Sequence, residues 1–184
     1  MTSTGFVKNL RFMVAASIVV LAGFVSMAEA QVSRFVGTYE GSAMVLSADG
    51  TSRSRDMSVE IEELKNSFRV NWTSTTYRKN GSAKEKSYSI EFVESDRDSV
   101  FAAAMRRNVF GHDVQLDPMK GEPYVWARLE GDTLSVYSIF VTETGGYEIQ
   151  QFDRTLADGG LRLEFKNVRD GEILRTVSTF LKRQ

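Results

Sequence analysis

The 184-residue chain contains no cysteine, one histidine and two prolines. Without cysteine there are no disulfides, thiol nucleophiles, iron–sulfur ligands or thiolate zinc sites. A fold must then be held by its core alone, and residues 31–184 supply enough chain for one. With His112 as the sole histidine, metal binding falls to carboxylates and carbonyls, the ligands of calcium or magnesium. The one acidic cluster, ESDRD at 94–98, is too short for a calcium loop and reads as a solvated turn, so no metal site is expected. Charge of one sign is also lacking, since 23 basic residues mix evenly with 24 acidic ones. That balance offers no footprint for nucleic acid and no polybasic segment for an anionic membrane.

A long apolar run occurs once, in the opening MTSTGFVKNLRFMVAASIVVLAGFVSMAEA. Lys8 and Arg11 form a basic start, residues 12–27 are apolar, and Ala28-Glu29-Ala30 places small residues where a signal peptidase reads. The run is shorter than the roughly 20 residues of a spanning helix. The expectation is a Sec-type signal peptide over residues 1–30, cleaved after Ala30, with export to the periplasm or the medium. Residues 31–184 then form one domain with no integral membrane segment.

That domain reads as strands. Turn signals recur at Glu130-Gly131-Asp132, Thr144-Gly145-Gly146, Asp158-Gly159-Gly160 and Arg169-Asp170-Gly171. Between them lie YVWARLE, TLSVYSIFVTE, YEIQQFDRTL, LRLEFKNV and EILRTVSTFLKR, rich in aromatic and β-branched residues. Leu161, Leu163 and Phe165 alternate with polar residues, the pattern of a strand with one buried face. Earlier, a strand is expected from Phe35 through Leu46, then a polar linker SADGTSRSRD, then strands carrying Met57-Val59-Ile61, Phe68-Val70-Trp72 and Tyr88-Ile90-Phe92. Nine strands result, with a tenth at Val100 to Ala103. The AAAMRR piece after it reads as a helical turn or two, inside one long connection. Short turns between successive strands favour an all-β, antiparallel up-and-down barrel of nine to ten strands over a sandwich.

FVGTYEGSAMV carries a motif. Gly37-Thr38-Tyr39 resembles the Gly-x-Trp of lipocalins at their first strand, and Gly41 extends it toward the Gly-x-Trp-x-Gly of nitrobindin-type barrels. By this pattern the chain resembles the calycins, the lipocalin-like barrels. Tyr stands for Trp, and Asp153-Arg154-Thr155 is a poor match to the lipocalin Thr-Asp-Tyr. The Arg-x-Tyr of fatty-acid-binding proteins is replaced by Arg175-Thr176-Val177, and no late histidine is present to ligate haem. The resemblance implies a barrel with a cavity at one end and no cofactor.

No catalytic constellation emerges. His112 has Asp113 beside it, but neighbours on an extended chain point opposite ways, and no nucleophile motif accompanies them. It reads as a residue of the 106–119 loop beside the mouth, able to touch a ligand there. Glu60 and Glu62 share a strand face that alternation turns to solvent. The aromatics say more: Trp72, Trp126, Tyr137 and Phe140 are the expected lining of a lumen, giving apolar area with polar tips. Arg128 and Arg175 raise a further possibility, since an inward arginine holds a carboxylate or phosphate bidentately. Arg175 is the stronger candidate, set between Ile173 and Val177. The expected function is binding of a small apolar or amphipathic molecule in the lumen of an exported barrel. The alternatives are a calycin-type isomerase or cyclase, and an envelope protein with a packed lumen that docks a partner on its outer face.

Overall fold

Four two-residue turns set the architecture: Lys65-Asn66, Gly131-Asp132, Asp158-Gly159 and Asp170-Gly171 each join adjacent antiparallel strands. Such tight turns need positive φ to match the twist of the flanking strands, and Asn66 (65°) and Gly159 (75°) supply it. A computed structural model describes residues 31–78, 80–107, 113–114 and 116–184. Its strands are β1 (Gly37–Ser47), β2 (Ser52–Leu64), β3 (Ser67–Tyr77), β4 (Ala83–Glu94), β5 (Val100–Ala103), β6 (Arg106–Arg107), β7 (Asp113–Val114), β8 (Tyr124–Glu130), β9 (Thr133–Val141), β10 (Tyr147–Ala157), β11 (Gly160–Arg169) and β12 (Glu172–Arg183). Ten of them close into an antiparallel up-and-down barrel, and β6 and β7 pair only with each other. The seam is the pairing of β1 with β12, Tyr39 opposite Arg183 and Ser47 opposite Arg175.

Three local readings differ from the sequence expectation. Phe35 precedes the first strand, in a 3-10 turn over Ser33–Phe35. The polar SADGTSRSRD is a tight turn followed by the first residues of β2, where Arg53, Ser54 and Arg55 pair with Val45, Met44 and Ala43. Its polarity reflects its place at the barrel rim, where neither face is fully buried. AAAMRR forms no helical turn: Ala102 and Ala103 belong to β5, and Arg106-Arg107 pairs with Asp113-Val114. The small residues are extended because β5 must bridge β4 and β8 to complete the wall.

One end of the barrel is solid. Phe68 stacks on Phe92 at 5.2 Å and meets the edge of Phe101 at 5.0 Å, with Val70, Leu129, Leu134, Leu161 and Leu181 packed around them. The segment before β1 plugs this end with Val32 and Phe35, both fully buried. Burying each such side chain contributes about 1.5–3 kcal/mol. Two polar contacts fix the plug. Tyr39 Oη donates to the Phe35 carbonyl at 2.8 Å, and Arg34 pairs with Asp132 of the β8–β9 turn at 2.6 Å. Arg183 donates to the Val36 carbonyl at 2.5 Å and lies over the Tyr39 ring, so the last strand ties down the first.

The other end is open and uneven. Among the described residues, β4 meets β5 only over Phe92–Glu94, leaving its first half, Lys84 to Ile90, without a strand on that side. That half is largely exposed, Tyr88 included, although register turns Lys84, Lys86 and Tyr88 inward. The connection from β5 to β8 leaves and re-enters the barrel at this same open end.

Candidate functional site

Register decides which side chains face the lumen. Val59, Trp72 and Tyr88 lie opposite one another on β2, β3 and β4, in line with the buried Tyr39 of β1. Phe152 of β10 is opposite Phe165 of β11, which is opposite Val177 of β12. These rows bound a cavity of about 110 Å³ in the open half of the barrel. Its apolar part is aromatic: Trp72 stacks on Tyr88 at 5.1 Å, Phe152 sits 5.6 Å from Trp72, and Phe165 sits 4.6 Å from Phe152.

The polar part of the wall is basic. Arg55, Lys86, Arg154 and Arg175 line the cavity, and among the described residues no aspartate or glutamate does. Arg154 is 1% exposed, and its Nε and Nη1 are buried without a hydrogen-bond partner. Its guanidinium rests instead on aromatic faces, 5.7 Å from the Trp72 ring centre and 5.4 Å from that of Phe152. Cation–π contact of this kind offsets part of the desolvation cost. Burial drives its pKa down to about 10, with the Asp153 charge opposing, so the group stays cationic at neutral pH. Asp153 itself is on the outer side of the strand, bonded to Ser135 at 2.6 Å and Gln151 at 2.7 Å.

Arg55 and Arg175 repeat the pattern nearer the mouth. The Nε of each is buried and unpartnered. Burial lowers the pKa of Arg55 and the adjacent Arg175 charge lowers it further, with Tyr88 acting the other way. Two guanidiniums, on the strands either side of β1, thus repel each other. The buried Oδ1 of Asn167 also lacks a partner, while its Nδ2 donates to Glu148 Oε1 at 3.0 Å. Glu148 is already neutralised: Arg169 holds its Oε2 at 2.6 Å. Burial pushes the Glu148 carboxyl up, but hydrogen bonds from Arg169, Gln150 and Asn167 outweigh it and the net pKa is lowered.

The residues singled out from the sequence divide among three places. Trp72 and Arg175 line the cavity. Phe140 lies on the inward row opposite Glu148, half-buried, but it is not part of the cavity wall. Trp126 and Tyr137 face outward, stacked on each other at 4.9 Å, while the inner positions beside them are Ala127 and Val136. Neither therefore lines the lumen. For Tyr137 the reason is that β9 is apolar on both faces, so alternation there does not assign a side; Trp126 shares its face of β8 with Arg128 and Glu130. Arg128 also points outward and pairs with Glu130 at 2.9 Å. His112 lies outside the described residues. Ile173, expected on the face of Arg175, is on the opposite one. The register shifts between Asn167 and Val168, so a bulge at Leu174 separates the two faces.

Arg154 and Arg55 were not singled out from the sequence. For Arg154 a signal exists: Phe152, Arg154 and Leu156 share one face of YEIQQFDRTLA, an arginine flanked by apolar residues two positions away on each side. For Arg55 it is fainter, because only extending Met57-Val59-Ile61 back by two residues reaches it.

Among the described residues no three histidine, aspartate or glutamate side chains gather into a metal-holding group. No family model matches the chain, and no curated protein does. Several solved structures are similar to it in outline, two of them as follows. The S-type phycobiliprotein lyase CPES from Guillardia theta has a TM-score of 0.40 at 9% identity, over 87% of this chain and 94% of that one. An N-terminal dehydratase from the difficidin assembly line has a TM-score of 0.24 at 8% identity, over 81% and 78%. Likenesses this distant carry no argument about what the barrel holds.

Proposed function

We propose that the protein is an exported, lipocalin-like barrel that binds a small apolar or amphipathic molecule in the open half of its lumen. One observation carries this reading. The barrel is packed solid at the plugged end, yet leaves about 110 Å³ free at the other, walled by Trp72, Tyr88, Phe152 and Phe165. An interior is ordinarily filled to the density of an organic crystal, so space of this size between aromatic rings is a departure. For scale, a dry cavity of about 150 Å³ accommodates benzene. The space here suits one ring or a short chain, with the remainder of a ligand emerging at the mouth. The low wall beside β4 gives a way in. A barrel packed throughout, working only through its outer face, fits this interior less well. Export rests on the leader sequence alone.

The two tryptophans allow a direct test, because Trp72 is inside and Trp126 outside. In a Trp126→Phe background, titration with the neutral fluorophore 1-aminoanthracene should quench Trp72 saturably at one site per chain. Adding Trp72→Ala should weaken binding of the probe itself, while Tyr137→Phe should leave it unchanged. Absence of saturable binding, or binding sensitive to Tyr137 and not to Trp72, would refute a luminal site.

A further inference from the structure

Resting on the luminal reading, we infer that the ligand is an amphipathic oxyanion, its head seated among Arg154, Arg55 and Arg175 and its apolar body against Trp72, Tyr88 and Phe152. The seat is built from four strands: Arg55 on β2, Arg154 on β10, Arg175 on β12 and the aromatic face of Trp72 on β3. Three features of it point to an anion.

First, the guanidiniums are unspent. A buried arginine in a finished core has its N–H groups satisfied by carboxylates or carbonyls, because each buried unmet donor costs free energy. Here Arg154 leaves Nε and Nη1 unmet, Arg55 leaves Nε and Arg175 leaves Nε, and the side chains of all three line one cavity.

Second, the fold withholds the obvious counterions. Glu148 is the nearest inward carboxylate by register, and it is engaged by Arg169, Gln150 and Asn167. Asp153 adjoins Arg154 in sequence but faces outward to Ser135 and Gln151. Both acids are fixed away from the arginines, and positive charge accumulates inside. Third, Arg55 and Arg175 are close enough to repel. A negative group between them would relieve that repulsion and satisfy both Nε–H donors in a forked geometry suited to carboxylate or phosphate.

The aromatic lining sets the rest of the molecule. A bare inorganic anion would meet the arginines but leave the rings of Trp72 and Phe152 facing water. A neutral lipid would cover the rings but leave the guanidiniums unmet. Only a molecule with both parts satisfies both walls. Carboxylate and phosphate heads share the chemistry, and probes of one chain length separate them.

The experiment is calorimetry on residues 31–184 with octanoate, octyl phosphate, octanol, octylammonium and inorganic phosphate. Trp72 emission in the Trp126→Phe background is followed in parallel. At least one octyl anion should bind roughly tenfold or more tighter than octanol, the scale of one charge-assisted hydrogen bond. Octylammonium should not bind, and inorganic phosphate should bind more weakly than octyl phosphate. Arg154→Met and, separately, Arg175→Met should reduce the preferred anion toward the octanol level and leave octanol within about twofold. Because the arginines are on different strands, failure of one variant to fold leaves the other to decide. Octanol binding as tightly as both octyl anions would overturn the anion seat while leaving the luminal reading intact. Inorganic phosphate binding as tightly as octyl phosphate would overturn the amphipathic part. Silence of every probe, with Trp72 unmoved, would overturn both.

Discussion

The guanidinium of Arg154 lies over the ring of Trp72, 5.7 Å from its centre, with two buried nitrogens bonded to nothing in the protein. A charge in that position has been removed from water without a full replacement for water. Its presence therefore costs the fold stability, a cost that the proposed anion would offset on binding.

Replacing it should consequently stabilise the empty protein. Arg154→Met keeps a long flexible side chain against Trp72 and Phe152 and removes the unmet donors. Urea unfolding should show a gain of about 1–3 kcal/mol for residues 31–184 without ligand. A loss of stability would mean that Arg154 is a structural element and not a binding one.

The same charge gives a signature at high pH. The folded-state pKa of Arg154, about 10, lies below that of an arginine in the unfolded chain. Between these values the unfolded chain holds more protons than the folded one, so stability rises with pH across that window. Below it the buried charge is fully present and the penalty constant. The stability gap between Arg154→Met and the natural protein should hence narrow from about pH 9 to about pH 11, as read from urea midpoints. A constant gap would contradict a desolvated charge.

Glu148 should behave in the opposite range. Its folded pKa is held below the ordinary 4.5 by Arg169, Gln150 and Asn167. A depressed carboxylate contributes stability that is present above 4.5 and lost as pH falls through the folded value. Glu148→Gln should cost about 1–2 kcal/mol near neutral pH, less than a fully buried pair because Arg169 is half exposed. In acid the two proteins should converge. Equal stability at neutral pH would show that the Arg169 pair contributes nothing net.

How much of this was legible in the sequence depends on what each residue must do locally. The hairpin turns were readable because Gly131, Gly159 and Asp170-Gly171 answer a backbone demand that few residues meet. The strands of the second half were readable because Leu161 and Leu163 alternate with Arg162 and Glu164 against a buried interior. Tyr137 was not assignable to a face, because its strand β9 is apolar on both sides and hydrophobicity alone does not distinguish inside from outside. Trp126 shares its face of β8 with Arg128 and Glu130, and that polar company marked it as outer. Arg154 and Arg55 were missed for a related reason: period-two reading treats a charge as a mark of the solvent face. Where arginines line the lumen that rule inverts, and the inversion shows only when neighbours two residues away are apolar.

The physical content of the Gly-x-Tyr-x-Gly motif lies at the barrel seam. A Cβ on Gly41 would fall 2.5 Å from the Phe180 carbonyl oxygen and 3.0 Å from the Leu181 side chain. Gly41→Val should therefore push β1 from β12 and destabilise the barrel by about 1–3 kcal/mol. Ser42→Val, one residue along on the exposed face, should be close to neutral in thermal unfolding. Similar effects at both positions would remove the argument for close approach at the seam.

The most direct measurement is native mass spectrometry of the protein purified from the exported fraction of its own host. The luminal reading predicts a chain beginning at Gln31 that carries a small molecule at one per chain, released as an acid on organic extraction. A bare polypeptide mass in that fraction, unchanged after incubation with host lipid extract, would contradict it.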